Sequence, residues 1–293
     1  MSARTTEVNH EELKKILMQA AQNQEKTPII ISGNVGIGKS AVVRDFAKEW
    51  SKMLEKEGVR GIAWVGDQGY GLKEHLSILV INLEHMTGID LERSELFKVS
   101  EEGYGVLLFR NLESATKDVR ERALKLMRER ELTGVFAKAR VPDKWIVVGT
   151  VNTNIEPLEK VIEPAALSDF KAYHLNPPTK DEWIKYNMTH ETSHPLVSKF
   201  VAEFPKDTRI YDFDPSNLHE RRLTPRALSL LAKKLNMLET AGVDQRSADY
   251  LKSVRMEAEA ALGTVWAKKF VEFCRKTLEE AEAKASQRRK VSV

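Results

Sequence analysis

The chain has a single cysteine, Cys274, in 293 residues. That excludes an internal disulfide and any cysteine-cluster metal site, and it suits a reducing, intracellular setting. Long apolar runs are also missing. None approaches the length that spans a membrane, and the first residues carry no apolar signal core, so a cytoplasmic location with no membrane partner is expected. Nor is there a large excess of one charge: 46 Lys and Arg against 43 Asp and Glu leave a formal net charge of +3. So small an excess does not favour nucleic acid as a partner, although Arg288-Arg289-Lys290 near the end is locally basic. The seven histidines show no H-E-x-x-H spacing. His190 and His194 stand one helical turn apart with no third ligand evident nearby. No Ser-His-Asp or Cys-His arrangement can be inferred, and there is no internal repeat or low-complexity segment.

What remains is a soluble globular composition, 42% hydrophobic and 30% charged, long enough for one large or two modest domains with a full core. One stretch organises it. Gly33-Asn34-Val35-Gly36-Ile37-Gly38-Lys39-Ser40 has the form G-x-x-x-x-G-K-S. The preceding run Pro28-Ile29-Ile30-Ile31 suits a buried strand, and positions 43, 46, 47 and 50 after it line one helical face. Strand, glycine loop and helix are the context in which this motif binds phosphate. The glycines let successive backbone N–H groups turn inward at a helix N-terminus. Lys39 would reach the outer phosphates of ATP or ADP, and Ser40 would offer its hydroxyl to Mg2+.

Along the chain, residues 1–9 read as disordered, and Asn9 with Glu12 resembles a capping box for the helix that carries Leu13, Ile16, Leu17 and Ala20. The helix after the loop ends near Gly58, and Gly61-Ile62-Ala63-Trp64-Val65 reads as a second strand. Residues 66–104 read as an insert of strands or a hairpin between core elements. Gly105-Val106-Leu107-Leu108-Phe109 is a buried strand, Ala115 to Arg130 an amphipathic helix, and 132–144 a hairpin. Trp145 to Val151 is a further strand ending at Asn152, and Ala172 to Leu175 a last short one. This alternation predicts a parallel sheet with helices on both faces, and ligands in such sheets sit at the carboxyl ends of strands. The glycine loop, Arg110 and Asn152 fall at such ends. Asn176-Pro177-Pro178-Thr179 marks a boundary, because two prolines stop any strand or helix. Helices are predicted beyond it at 180–189, 193–204, 225–240 and 245–281. Trp64, Trp145, Trp183 and Trp266 sit in apolar patterns and read as core residues.

The ordered set of motifs resembles the AAA+ ATPases of the MoxR-like branch, and most of all their short stand-alone, phage-type members. Gly33 to Ser40 is similar to the Walker A loop. His85 to Asp90 is similar to the D-L-x-G-x-P stretch of the family's insert, and 141–145 with 148–152 to its hairpin and sensor 1 strand. Ala165 to Phe170 is similar to the A-L-x-x-R-F stretch, and Leu223-Thr224-Pro225-Arg226 to the sensor 2 stretch. The resemblance implies an α/β core at 10–177 with an insert at about 66–104, a small all-helical lid and C-terminal helix at 178–282, and a basic tail at 283–293. It implies a homo-oligomeric ring, usually a hexamer, that acts in a chaperone-like way on a protein partner, often one with a von Willebrand A domain. It also assigns Asn152 and Arg226 to the γ-phosphate.

Two motifs depart from the family. The Walker B strand should end in Asp-Glu, and here Arg110-Asn111 stand there. An arginine only donates and cannot ligate Mg2+, and an asparagine is not a base. Asp169 stands where the family has an arginine that reaches a neighbour's ATP, unless Arg128, Arg130 or Lys171 substitutes. Two outcomes follow. Either Glu113 turns back into the site and replaces the missing acid in a competent ATPase, or hydrolysis is weak or lost and nucleotide binding serves as a switch, with Mg2+ held less well than usual. Arg110 would then be a phosphate counter-charge. A nucleotide-gated DNA-binding filament or scaffold is the third reading.

Overall fold

The computed structural model describes residues 5–59, 76–94, 103–134, 138–189, 193–212, 223–242 and 247–291. The chain divides into two compact units, Met1–Asn176 and Pro177–Val293.

The first unit runs in the order β1 (Thr6–Val8), α1 (His10–Gln22), β2 (Ile29–Gly33), α2 (Lys39–Lys56), β3 (Leu76–Asn82), α3 (Gly88–Arg93), β4 (Tyr104–Arg110), α4 (Lys117–Glu129), β5 (Glu131–Thr133), β6 (Lys138–Arg140), β7 (Trp145–Asn152), α5 (Leu158–Val161), α6 (Pro164–Leu167) and β8 (Lys171–Leu175). Six strands form one sheet in the order β1-β8-β2-β7-β4-β3, and every pair in it is parallel. Helices cover both of its faces. The central strands are continuous apolar runs because both faces are buried: Ile29, Ile30, Ile31, Val106, Leu107, Leu108 and Phe109 are fully covered. α1 starts on a complete Asn9–Glu12 capping box.

Three expectations change. Thr6–Val8 is not disordered; it pairs with Tyr173–Leu175 and closes one edge of the sheet. Ile78–Ile81 is a strand, but of the main sheet and not of an insert. It lies in β3, which pairs along its length with β4 and forms the other edge. The last helix does not stop at 281 but continues through the basic end to Val291. The expected strand at 61–65 lies outside the described residues. β5 and β6 form the expected hairpin, with its turn outside them.

Parallel pairing brings all the strand ends to one side. The register sets Gly33 beside Asn152 and Asn82 beside Arg110. A small residue then shapes the exit from β4. A Cβ on Gly149 would meet Leu112, Ile30 and Met127 at 2.8–3.0 Å, so the bare glycine lets Leu112 seat on the sheet. Asn111 takes a left-handed φ of 61°, and a 3-10 turn, Leu112–Ser114, follows and turns Glu113 inward.

The second unit contains α7 (Lys180–Met188), α8 (Pro195–Ala202), α9 (Pro225–Thr240) and α10 (Ala248–Val291). They close around Trp183, Val197, Phe200, Leu228, Leu231, Leu235, Tyr250, Val254 and Phe270. α10 is two helical stretches broken at Gly263, with φ 78° and ψ 171°. That conformation is essentially open to glycine only and costs other residues about 1–3 kcal/mol. Gly263→Ala should therefore destabilise this unit by about that amount in denaturant unfolding. Among the described residues no helix is long and apolar enough to cross a membrane.

Candidate functional site

The glycine loop joins the end of β2 to the start of the 18-residue α2. Gly33, Gly36 and Gly38 have φ of 146°, 80° and 109°, values that side-chain-bearing residues rarely adopt. The loop is also enclosed. A Cβ on Gly33 would lie 2.7 Å from the Leu175 carbonyl oxygen, and one on Gly38 would lie 3.0 Å from His10 Nε2. Two side chains fasten its backbone: the Val35 N–H donates to Asn154 Oδ1 at 2.8 Å, and His10 Nε2 lies 2.8 Å from the Ile37 oxygen. Because that carbonyl only accepts, the His10 proton sits on Nε2. Lys39 is buried, and its Nζ donates to Gly33 O at 2.8 Å, Asn34 O at 2.7 Å and Asn152 Oδ1 at 2.7 Å. Ser40 follows on the first turn of α2, whose N-cap, Gly38, brings no side-chain cap.

Beside the loop a chain of polar groups crosses the strand ends. The Asn152 backbone N–H donates to Glu113 Oε2 at 3.0 Å, and its Nδ2 donates to Glu113 Oε1 and to Asn111 Oδ1, the latter at 3.2 Å. Asn111 Nδ2 in turn donates to Asn82 Oδ1 at 2.7 Å and to Glu84 Oε2 at 3.3 Å. Glu113 therefore does turn back into the site, and both of its oxygens accept from Asn152.

The remaining candidates have other neighbours. Arg110 ends β4, half-buried, and its carbonyl accepts from Leu83 N–H at 3.0 Å. Asp169 pairs with Arg128 at 3.3 Å. Arg130 is buried at the end of α4, and its Nη2 donates to the carbonyls of Pro142 and, at 2.9 Å, Trp145. Burial pulls its pKa below the usual arginine value. It fastens the hairpin to β7, which removes it as the substitute arginine. Lys171 donates to Glu25 at 2.6 Å. That hydrogen bond, with Thr27, lowers the Glu25 carboxyl to about 2. A carboxyl lowered on folding stabilises the fold above its unfolded pKa, and the contribution fades as pH falls toward the folded one. Lys171→Ala should therefore melt below wild type at neutral pH. The two melting temperatures should converge as pH falls from the ordinary glutamate range toward about 2. Arg226 is exposed on the first turn of α9 in the second unit.

Sequence reading missed His10, Asn154, Asn82 and Glu84. The Asn152-Thr153-Asn154 repeat of asparagines after a strand was the only local signal for any of them.

Phosphate suits the loop. Three positive-φ glycines, a side-chain-free N-cap and a buried ammonium converge where added Cβ atoms would not fit. A carboxylate-held Mg2+ does not suit it. Arg110 only donates, Asn111 carries no charge, Glu113 is held by Asn152, and among the described residues no three His, Cys, Asp or Glu side chains form a metal-binding group.

Among solved structures, the chain is similar to the ORC1 protein of Aeropyrum pernix in complex with DNA, with 14% identity over 85% of this chain and 64% of that one at a TM-score of 0.50. It is likewise similar to CDC6P from Pyrobaculum aerophilum, with 12% identity over 87% and 68% at 0.50. The fold is the AAA+ fold. The ORC2 protein of Aeropyrum pernix in ADPNP-ADP complexes aligns at a TM-score of 0.49, with 14% identity over 86% of this chain and 67% of that one. The chain thus spans about two-thirds of these AAA+ proteins. No family model matches the sequence, and no curated protein matches it. Within the AAA+ fold, the glycine loop and Asn152 end neighbouring strands, β2 and β7, and the second unit is the helical part that follows the core.

Proposed function

We propose that the chain is a nucleotide-binding AAA+ protein of the MoxR-like kind that couples ATP or ADP binding to remodelling or scaffolding of a protein partner, with hydrolysis weak or lost. The observation that carries this reading is the buried Lys39 ammonium at the mouth of a positive-φ glycine loop that opens α2. Gly33, Asn34, Val35, Gly36, Ile37, Gly38, Lys39 and Ser40 hold the phosphates. Asn152 stands at their outer end, and Arg226 keeps the role that the family resemblance implies. Mg2+ binds through Ser40 and water, more weakly than is usual. Self-assembly is into a ring, a hexamer by resemblance, and the partner is a protein such as one with a von Willebrand A domain.

Weak hydrolysis follows from the chemistry beside the loop. General-base help is worth about 10²–10⁴-fold. Arg110 and Asn111 do not provide it, and both oxygens of Glu113 are already engaged by Asn152. With Mg2+ and concentrated protein, turnover should stay near that of Lys39→Ala. Brisk turnover abolished by Glu113→Gln would instead establish the competent ATPase. Sedimentation with and without ATP tests the ring. The DNA-scaffold reading has in its favour only a fold shared with a protein solved in complex with DNA. Salt-dependent retention on DNA would support it.

A further inference from the structure

The structure assigns Glu113 as a positioning residue that locks the Asn152 carboxamide with its oxygen toward Lys39, and we infer that this lock makes the site favour a nucleoside diphosphate over the triphosphate. The inference rests on the nucleotide reading above and adds a preference to it.

The direction of the Asn152 amide is fixed by what its neighbours are able to do. Lys39 only donates, so the atom 2.7 Å from its Nζ is the oxygen Oδ1. A carboxylate only accepts, so the atoms facing Glu113 are the Asn152 backbone N–H and Nδ2. The other Nδ2 proton goes to Asn111 Oδ1. Asn111 is fixed in the same sense, because its own Nδ2 faces the Glu84 carboxylate and Asn82 Oδ1. Turning the Asn152 amide over would set its NH2 against an ammonium and its oxygen against a carboxylate. The two carboxylates, Glu113 and Glu84, thus hold both amides in one orientation.

The consequence falls on the outermost phosphate. A lysine in this motif serves the β- and γ-phosphates, so a group within hydrogen-bond distance of Lys39 adjoins that end of the nucleotide. There Asn152 offers an acceptor oxygen, while both protons of its NH2 are spent on Glu113 and Asn111. A γ-phosphate would take Lys39 from Asn152 and meet an amide oxygen, which repels it, rather than an N–H. A diphosphate lacks that outermost group and avoids the encounter.

The test compares ADP and ATP in calorimetric titrations of the full chain without metal. Wild type should bind ADP about tenfold more tightly than ATP. Glu113→Gln keeps the shape but adds a donor, which lets the Asn152 amide turn, and should bring the ratio close to one by tightening ATP alone. Asn152→Ala should narrow the ratio as well, and adding Glu113→Gln to it should change the ratio no further. A merely structural Glu113 would weaken both nucleotides together and leave the ratio alone. Equal affinities in wild type, or a ratio that Glu113→Gln does not move, would overturn the inference while leaving nucleotide binding intact. Binding of neither nucleotide to wild type would overturn the nucleotide reading and this inference with it.

Discussion

Lys39→Ala is expected to weaken ADP and ATP binding by about 10²–10⁴-fold. Hydrogen bonds to a charged partner contribute about 1.5–3 kcal/mol each, and two to phosphate oxygens give about 3–6 kcal/mol. Gly33 O, Asn34 O and Asn152 Oδ1 already take N–H donors of the Lys39 ammonium within 2.8 Å, so each bond to phosphate replaces one of these, which places the loss toward the lower end of that range. Lys39→Arg should not rescue it, because a planar guanidinium does not reproduce a compact ammonium in a buried niche. Fluorescent-nucleotide titration measures the loss, and thermal unfolding shows that the variant is folded. Affinity within threefold of wild type would mean that the loop does not hold the nucleotide.

The second large effect is on stability. Phe109→Ala should cost the first unit about 3–5 kcal/mol, the usual range for removing a buried aromatic side chain. Phe109 is fully covered, pairs in register with Ile81 on one side and Gly149 on the other, and belongs to the cluster under the strand ends. Folded proteins hold only about 5–15 kcal/mol in total, so such a loss would leave the sheet marginal. The two units need not unfold together, and amide hydrogen exchange resolves the sheet from the helices. Val265→Ala is the control: Val265 is 53% exposed and should move stability by no more than about 0.5 kcal/mol. A Phe109→Ala loss below about 1 kcal/mol would contradict the packing described.

The parts of the fold legible in the sequence are those written in local patterns. Ile29–Ile31 before the glycine loop, the capping pair Asn9 and Glu12, and the strand ending at Asn152 each carry their signal within a few residues. β3 was read as part of an insert because its place in the sheet depends on pairing with β4, Leu76 against Tyr104, while nearby glycines break the local pattern. β1 has only three residues, and its partner is Tyr173–Leu175, far along the chain. The site followed the same division. The loop itself was plain, but Asn82 and Glu84 reach it through the register of β3, and His10 through the start of α1. For Glu113, the sequence left open whether it turns back into the site. The left-handed Asn111 and the bare Gly149 turn it there, toward Asn152, a partner that spacing alone did not name.

The most direct measurement of the central claim is a titration of wild-type protein with ATP, with turnover followed in the same sample in the presence of Mg2+. The account predicts saturable binding that Lys39→Ala abolishes, with turnover near background. No saturable binding at any accessible concentration would contradict it, because the glycine loop would then be a turn without a ligand.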